Sequence, residues 1–315
     1  MQGTPGLVRY NYNPVTKSAV TDAVLLGSED RPTHAPGWDS EQVTGPMRVI
    51  AFSLRPVRVV FEDEHPVVLS PSVVALPAAS TPYRRTPSCA SGQRTVFVGV
   101  HSDAFTKLVG AVEPALLDRL DEQPRHFAPS DLRACALACR LERIVFKSDT
   151  VQIPVDPLLI DETVTEIIVR TISDSTAPKP TTRTDRRAPS PQTQRRWRAA
   201  ANEAMIALTR NPESPPTLDG LADSLKLSPA YLGRVFRHQF GQTMHHCYSA
   251  ARLIRTLEHL PDAKGRLTQL ALSSGFASHA HMTGVFRSTL GVSPSELCSD
   301  SAAALRADLA ARQRS

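Results

Sequence analysis

Two segments in the second half of the chain place basic or polar side chains opposite an apolar stripe. Apolar residues recur at helical spacing in residues 229–240 and again in residues 279–290. Arginine binds oxyanions through paired hydrogen bonds, so an outward arginine on a helix suits an anionic partner. The outward side chains are Ala230, Gly233, Arg234 and Arg237 in the first segment, and His279, Ala280, Thr283 and Arg287 in the second.

The charge distribution points to the same kind of partner. The 315 residues include 36 Lys+Arg and 31 Asp+Glu, which gives a formal net charge of +5. Residues 192–298 alone carry a net charge of +5 and six of the ten histidines, whereas residues 1–172 carry a net charge of −3. This asymmetry favours a polyanion as the partner of the second half.

Composition excludes several classes of protein. No stretch approaches the roughly 20 apolar residues that a membrane helix requires, and no secretory signal is recognisable at the N-terminus. The five cysteines are too few and too scattered for a disulfide framework or a cysteine-rich zinc module. We therefore expect a cytoplasmic, reduced protein with no membrane segment.

The two segments belong to a duplicated unit. Leu221 and Ala222 recur as Leu270 and Ala271, and the tripeptide at 235–237 recurs at 285–287 with one extra residue, around Gly275. Such a repeat predicts a duplicated supersecondary structure. In each copy a short apolar helix, a turn and a serine N-cap precede the second helix, which is typical of a helix–turn–helix. The caps are Ser228, followed by Pro229, and Ser278.

Further helices complete the second half. Residues 194–209 and 243–260 predict a leading and a bridging amphipathic helix, and Ser293 to Glu296 form a capping box with proline at the first helical position. The region 195–298 is therefore predicted to be an all-α domain of seven helices. Residues 173–194 are rich in proline, serine and threonine and predict a flexible linker, and 299–315 form a tail.

The region 195–298 resembles the DNA-binding module of AraC/XylS-type transcriptional regulators. Both helix–turn–helix copies, Arg252-Leu253 of the bridging helix and the closing segment 291–294 match the pattern of that family. The resemblance implies that the second helix of each copy enters the major groove, in successive turns on one face of the duplex. It assigns DNA contact to the eight outward residues.

Within that assignment the two copies differ. Arg234 is the candidate for a contact to guanine or phosphate, and Arg237 and Arg287 are expected to hold phosphates. Gly233 replaces a side chain that often reaches a base in this family, and Gly284 stands where the family usually has the counterpart of Arg234. The second copy is therefore expected to read through His279 and Thr283, or to act mainly in positioning.

The first half predicts a β-rich domain. Five segments between residues 47 and 100 alternate like half-buried strands, which suggests a small barrel or sandwich. Helical patterns follow at 102–109, 113–122, 130–147 and 156–173. Residues 25–100 resemble the cupin-like barrel that binds an effector or mediates dimerisation in AraC-type regulators. The chain is thus expected to be α+β, with a cupin-like β-barrel and flanking helices in 1–172. A barrel interior can hold one small ligand, and the residues proposed to line it are Trp38, Phe52, Arg58, Phe61, Tyr83 and Arg84.

Neither catalysis nor metal binding is expected. Metal-dependent cupins bind a transition metal through two histidines one residue apart, and the histidines of the first half are isolated. The pair His279 and His281 lies on a predicted reading helix, where side chains two residues apart diverge. No cofactor is predicted.

Cys135 and Cys139 lie four residues apart on the predicted helix 130–147. That helix has two apolar faces, which favours a position between the barrel and a second helix or subunit. Burial and a redox switch are both compatible with this spacing, although Cβ atoms at i,i+4 lie farther apart than a disulfide usually requires.

These features predict a bacterial, sequence-specific transcription regulator of AraC/XylS type, most simply an activator. Its expected partners are double-stranded DNA, RNA polymerase, a second copy of the chain and a small-molecule effector. A cupin-type enzyme and a non-specific architectural DNA-binding protein are the alternatives.

Overall fold

The computed structural model describes most of the chain. The predicted helix 113–122, apart from residue 114, and residues 176–189 of the predicted linker lie outside the described residues. The described ranges are 8–13, 16–20, 24–62, 65–112, 114, 126–146, 155–175, 190–298 and 302–312.

The strands of the first half form two antiparallel sheets. They are β1 (Val8–Asn13), β2 (Thr16–Val20), β3 (Val24–Arg31), β4 (Gln42–Val43), β5 (Arg48–Ser53), β6 (Val57–Phe61), β7 (Val67–Leu69), β8 (Val73–Ala75), β9 (Pro82–Pro87), β10 (Gln93–Val100) and β11 (Phe127–Pro129). The large sheet has the order β1-β2-β3-β10-β5-β8-β11, and the small sheet has the order β4-β9-β6-β7. The alternating sequence explains the strands, since Val57, Val59 and Phe61 are buried while Arg58 and Val60 between them are half-buried.

The mixed α+β class is confirmed, but a closed barrel is not. Among the described strands, each sheet keeps two edges, formed by β1 and β11 in the large sheet and by β4 and β7 in the small one. The edge of β7 is covered by a helix from the second half of the chain instead of a strand, because the side chain of Asn202 binds its backbone. The predicted cupin-like barrel is therefore two sheets that the described strands do not close.

A buried ionic network joins the two sheets. Arg85 of β9 binds both carboxylate oxygens of Glu29 of β3 at 2.6 and 2.9 Å, and also contacts the side chains of Gln93 and Gln42 at 3.0 Å. Burial by itself would raise the pKa of Glu29, but the hydrogen bonds and charges of Arg85 and Arg31 outweigh it and lower that pKa. The space between the sheets is thus filled in part by the protein's own charged side chains.

Three described helices follow the strands: α1 (Ser102–Val112), α2 (Leu132–Phe146) and α3 (Pro157–Ser175). Helix α2 is buried along most of its length, with α3 and the large sheet on one side and helices of the second half on the other. The second apolar face of α2 is covered by the same chain.

The second half contains seven α-helices within residues 190–298. They are α4 (Pro191–Arg210), α5 (Leu218–Ser224), α6 (Pro229–Phe240), α7 (Met244–His259), α8 (Leu267–Ser273), α9 (His279–Leu290) and α10 (Pro294–Leu297), with a 3₁₀ turn at Pro261–Ala263. In the described part of the chain, no helix combines the length and apolar character needed to cross a membrane.

The ends of the predicted linker need correction. Helix α3 continues to Ser175, and α4 begins at Pro191, where Ser190 caps the helix by accepting a hydrogen bond from the backbone of Thr193. Serine at the N-cap followed by proline is a helix-start signal, so α4 starts inside the segment assigned to the linker. The predicted tail likewise contains a helix, α11 (Ala302–Arg312), which packs on α2 and α3.

The two halves share their buried clusters. One cluster joins the large sheet, α2 and α3 to α7, α8, α9, α10 and α11, and the other joins β6, β7 and β8 to α4, α5 and α6. Each helix–turn–helix copy is therefore packed against a different part of the first half.

Candidate nucleic-acid interface

Both second helices of the repeat are capped as the sequence predicts. The hydroxyl of Ser228 accepts a hydrogen bond from the backbone of Tyr231 at 3.3 Å, and that of Ser278 accepts one from His281 at 3.0 Å. The two helices end at Gly241 and Gly291, both in the left-handed conformation. Equivalent signals at both ends give α6 and α9 equal lengths of twelve residues.

The turns of the two copies also correspond. Each contains one residue with positive φ, Lys226 at 55° in the first copy and Gly275 at 77° in the second, and these two residues are 49 positions apart. The caps Ser228 and Ser278 are 50 positions apart, so Ala277 is the inserted residue. The insertion thus lies two residues after Gly275, in the region where the sequence repeat placed it.

Helix α6, the second helix of the first copy and thus the first predicted reading helix, presents the predicted polar face to solvent. Leu232, Val235, Phe236 and Phe240 are buried, whereas Ala230, Arg234 and Arg237 are exposed and Gly233 is half-buried. The guanidinium of Arg234 lies 5.5 Å from the ring centre of Tyr231, which restrains the arginine without occupying its hydrogen-bond donors.

The second reading helix, α9, has the same core and a weaker polar face. Met282, Phe286 and Leu290 are buried, Ala280 and Arg287 are exposed, and His279 and Thr283 are half-buried. The Nε2 atom of His279 is buried and has no hydrogen-bond partner among the described residues, so this side chain is less outward than predicted. A Cβ atom on Gly284 would meet no atom within 4 Å, which leaves open space at the position equivalent to Arg234.

Arg252 of the bridging helix α7 holds the second turn in place. Its side chain is largely buried and donates hydrogen bonds to the hydroxyl of Tyr248 at 3.1 Å and to the carbonyl of Gly275 at 3.0 Å. The guanidinium lies 4.3 Å from the ring centre of Phe276. In the sequence, Arg252 stands within the apolar stripe of the predicted bridging helix. That pattern did not predict its hydrogen bond to the second turn.

Asn202 of α4 is a second positioning residue, and sequence reasoning missed it. Its side chain accepts a hydrogen bond from the backbone of Val68 at 3.2 Å and donates one to the carbonyl of Pro66 at 2.7 Å. These two bonds occupy the open edge of β7, so the leading helix binds the small sheet as a strand would. A polar residue within a helix gives no sequence signal for such a distant partner.

On the other side of the molecule, α2 touches the second copy. The side chain of Arg133 donates a hydrogen bond to the carbonyl of Thr289 at 3.0 Å, near the end of α9. Arg94 of β10 lies 3.0 Å from the carboxylate of Glu142 on α2 and 3.7 Å from that of Glu258 on α7. The first half thus contacts both the second reading helix and the bridging helix.

The predicted effector residues do not face one interior. Phe52 lies in the core cluster around α2, whereas Trp38, Phe61 and Tyr83 belong to the cluster of the small sheet. Arg58 and Arg84 lie at the surface, paired with Glu203 and Glu41 at 2.7 and 3.3 Å. The polar network of Glu29 and Arg85 lies beside Trp38, and its two members were not predicted.

Cys135 and Cys139 are both buried. A hydrogen bond with Cys139, together with burial, raises the pKa of the Cys135 thiol well above its ordinary value. Because the thiolate is the reactive form, this environment favours the packing interpretation over the redox switch. Among the residues that the structure describes, no three metal-ligating side chains cluster closely enough to hold an ion.

Comparison with known proteins agrees with this geometry. A protein-family model described as a helix-turn-helix domain matches residues 221–299. The HTH-type transcriptional regulator ArgR of Pseudomonas aeruginosa is 30% identical over 94 residues, which cover 30% of this chain and 29% of that protein. This chain therefore matches less than a third of the length of that curated relative.

Two solved structures also match this chain in part. A transcriptional regulator with an AraC-type DNA-binding domain from Chromobacterium violaceum is 26% identical, with 32% of this chain and 89% of that chain covered and a TM-score of 0.30. ToxT of Vibrio cholerae is 12% identical, with 88% and 98% of the chains covered and a TM-score of 0.31.

Residues 221–299 thus carry a helix-turn-helix domain, which agrees with the resemblance predicted for this region from its repeat, caps and bridging helix.

Proposed function

We propose that this chain is a sequence-specific DNA-binding transcription regulator. The observation that carries the proposal is the pairing of two repeat-related units whose apolar faces are buried and whose second helices expose Arg234, Arg237 and Arg287. A recognition helix fits the major groove, and adjacent grooves on one face lie roughly 34 Å apart. The helix-turn-helix match and the regulator similar to it support this function.

The roles of the eight side chains follow from their exposure. Arg234 contacts guanine or phosphate, because it is exposed and held by Tyr231 with its donors free. Arg237 and Arg287, near the ends of their helices, bind phosphates and fix the register. Thr283 and His279 contribute to the second groove, and the small residues Ala230, Gly233 and Ala280 allow close approach to the base edges.

The first half controls how the reading helices are presented. Its contacts reach α4, which packs on α6 of the first copy, through Asn202, and reach the second copy through Arg133, so a change in the small sheet alters the first copy and a change in α2 alters the second. A small-molecule effector, or contact with a second copy of the chain, would act by shifting the population between arrangements of these contacts. The DNA-bound form engages RNA polymerase, and the expected output is activation.

A binding selection on random duplex DNA tests this function. The full chain is incubated with the library at a stated salt concentration, and the affinity for the enriched duplex is compared with that for a scrambled duplex of equal length. A regulator should prefer its site by at least about 10³-fold. Equal affinity for both duplexes would contradict the proposal and identify a non-specific architectural DNA-binding protein.

A further inference from the structure

A cleft of about 410 Å³ lies where the loop between α4 and α5, the bridging helix and the second copy meet. This volume is within the range of small-molecule sites. The loop after α4 supplies one wall, α7 the floor, and the segment from the 3₁₀ turn to the end of α8 the other wall. The lining includes Pro212, Glu213, Arg252, Arg255, Arg266 and Ser273.

Three of the lining side chains are arginines. Arg252 is 9% exposed and is fixed between the rings of Tyr248 and Phe276. It uses one terminal nitrogen for its two hydrogen bonds, and its Nε atom is buried with no partner. An arginine held in this way is preorganised, because rings and backbone fix its position without neutralising its charge.

The charges of these arginines are not matched by carboxylates. Within residues 190–298, none of the three forms an ion pair, and Arg266 donates only to the backbone carbonyl of Asp262, at 2.9 Å. The positive charge of Arg255 opposes the rise in the pKa of Glu258 that burial causes, although the two side chains form no ion pair. Glu213 and Asp262 also line the cleft, but both are exposed and can turn toward solvent. The fixed charge at the floor of the cleft is therefore positive.

We propose that this cleft binds a small molecule through a phosphate or carboxylate group. A guanidinium forms paired, charge-assisted hydrogen bonds with such an oxyanion, and Arg255 and Arg266 lie on the same cleft as the fixed Arg252. The occupant touches the loop that joins α4 to the first copy, and α8 of the second copy. It therefore links that loop to the second copy at a place separate from the two sheets, where an effector was expected.

The test measures binding to the full chain in the absence of DNA. Isothermal titration calorimetry at constant ionic strength uses pyrophosphate as the first probe and citrate as the second. Saturable binding of either probe is expected, and the double variant Arg255→Gln, Arg266→Gln should weaken it by about tenfold or more, since charge-assisted hydrogen bonds are lost. Arg252 is left intact because it also supports the turn at Gly275.

A matched control removes the same charge elsewhere. Arg195→Gln, Arg196→Gln changes two exposed arginines of α4 that do not line the cleft, and it should bind the probes as the wild type does. Failure of both probes to saturate, or equal weakening in both double variants, would overturn the proposal. Stoichiometric displacement of a bound probe by duplex DNA would also overturn it and assign the arginines to a DNA phosphate. Because the binding measurement needs no DNA, its failure is distinguishable from failure of the regulatory function.

Discussion

The two helix–turn–helix copies have the same framework and different surfaces. Both reading helices have twelve residues, a serine cap and a glycine end. They differ at the equivalent positions 234 and 284, where the first copy has an exposed arginine and the second has glycine facing open space. Duplication has preserved the residues that form the fold, whereas the residues proposed to face DNA have diverged. We infer that the first copy supplies the stronger block of base preference and the second copy, through His279 and Thr283, a weaker one.

The copies also differ in what supports them. The first packs with α4 against the small sheet, and the second packs against α2, α3 and α11. A change in one region of the first half can therefore reach one reading helix before the other. If both reading helices packed against the same region of the first half, a change there would reach both at once.

The largest expected effect is on base recognition by the first copy. Arg234→Ala should cost about 1–3 kcal/mol at one base position of the selected site, because a bidentate contact to guanine is lost. Arg287→Ala should weaken binding uniformly across sequences and reduce the salt dependence. Fluorescence anisotropy on duplexes with single base changes measures both effects. Uniform weakening by Arg234→Ala would contradict its role as a base reader.

The turns provide a comparison in stability. A Cβ atom on Gly275 would lie 2.9 Å from the carbonyl oxygen of Glu213, and its φ is positive, so Gly275→Ala should cost about 1–3 kcal/mol. Lys226→Gly, in the equivalent turn, should stabilise the protein by up to about 1 kcal/mol because it relieves a left-handed lysine. Urea unfolding measures both. A neutral Gly275→Ala would show that the second turn tolerates movement.

A third comparison concerns the contacts of Asn202 and Arg133, which join the two halves of the chain. Asn202→Ala leaves the backbone N–H of Val68 in β7 and the carbonyl of Pro66 just before it without this partner and should cost about 1–3 kcal/mol, whereas Arg133→Ala removes one hydrogen bond and should cost about 0.5–1.5 kcal/mol. Thermal unfolding ranks the two variants. The reverse ranking would mean that the second copy is the more firmly attached.

The smallest expected effect concerns pH. Burial raises the pKa of Glu258 on α7, and the charges of Arg55 and Arg94 oppose this only in part. A carboxyl with a raised pKa binds its proton more tightly in the folded state, so its contribution to stability declines as pH rises through the folded pKa. Glu258→Gln should remove this decline, so its stability relative to the wild type should increase as the pH rises above about 4, the ordinary pKa of a glutamate carboxyl. A constant difference would show that the Glu258 charge is fully compensated.

Local signals in the sequence were sufficient for the second half. Ser228, Pro229 and Ser278 act on adjacent backbone, so their types and spacing predicted the starts of the two second helices directly. The partners of Asn202 and Arg133 lie more than 130 residues away, and a polar side chain in a helix does not indicate which distant backbone it will meet. The same limitation explains why six effector residues were grouped in one pocket although the two sheets place them on different faces.

The spacing of the selected DNA site tests the central account most directly. Two reading helices on one face require two blocks of preferred bases about one helical turn apart. Inserting 5 base pairs, about half a turn, between the blocks should reduce the affinity of the full chain about tenfold or more, to that of a single block. Unchanged affinity after this insertion, or a selected site with only one block, would contradict reading by both copies.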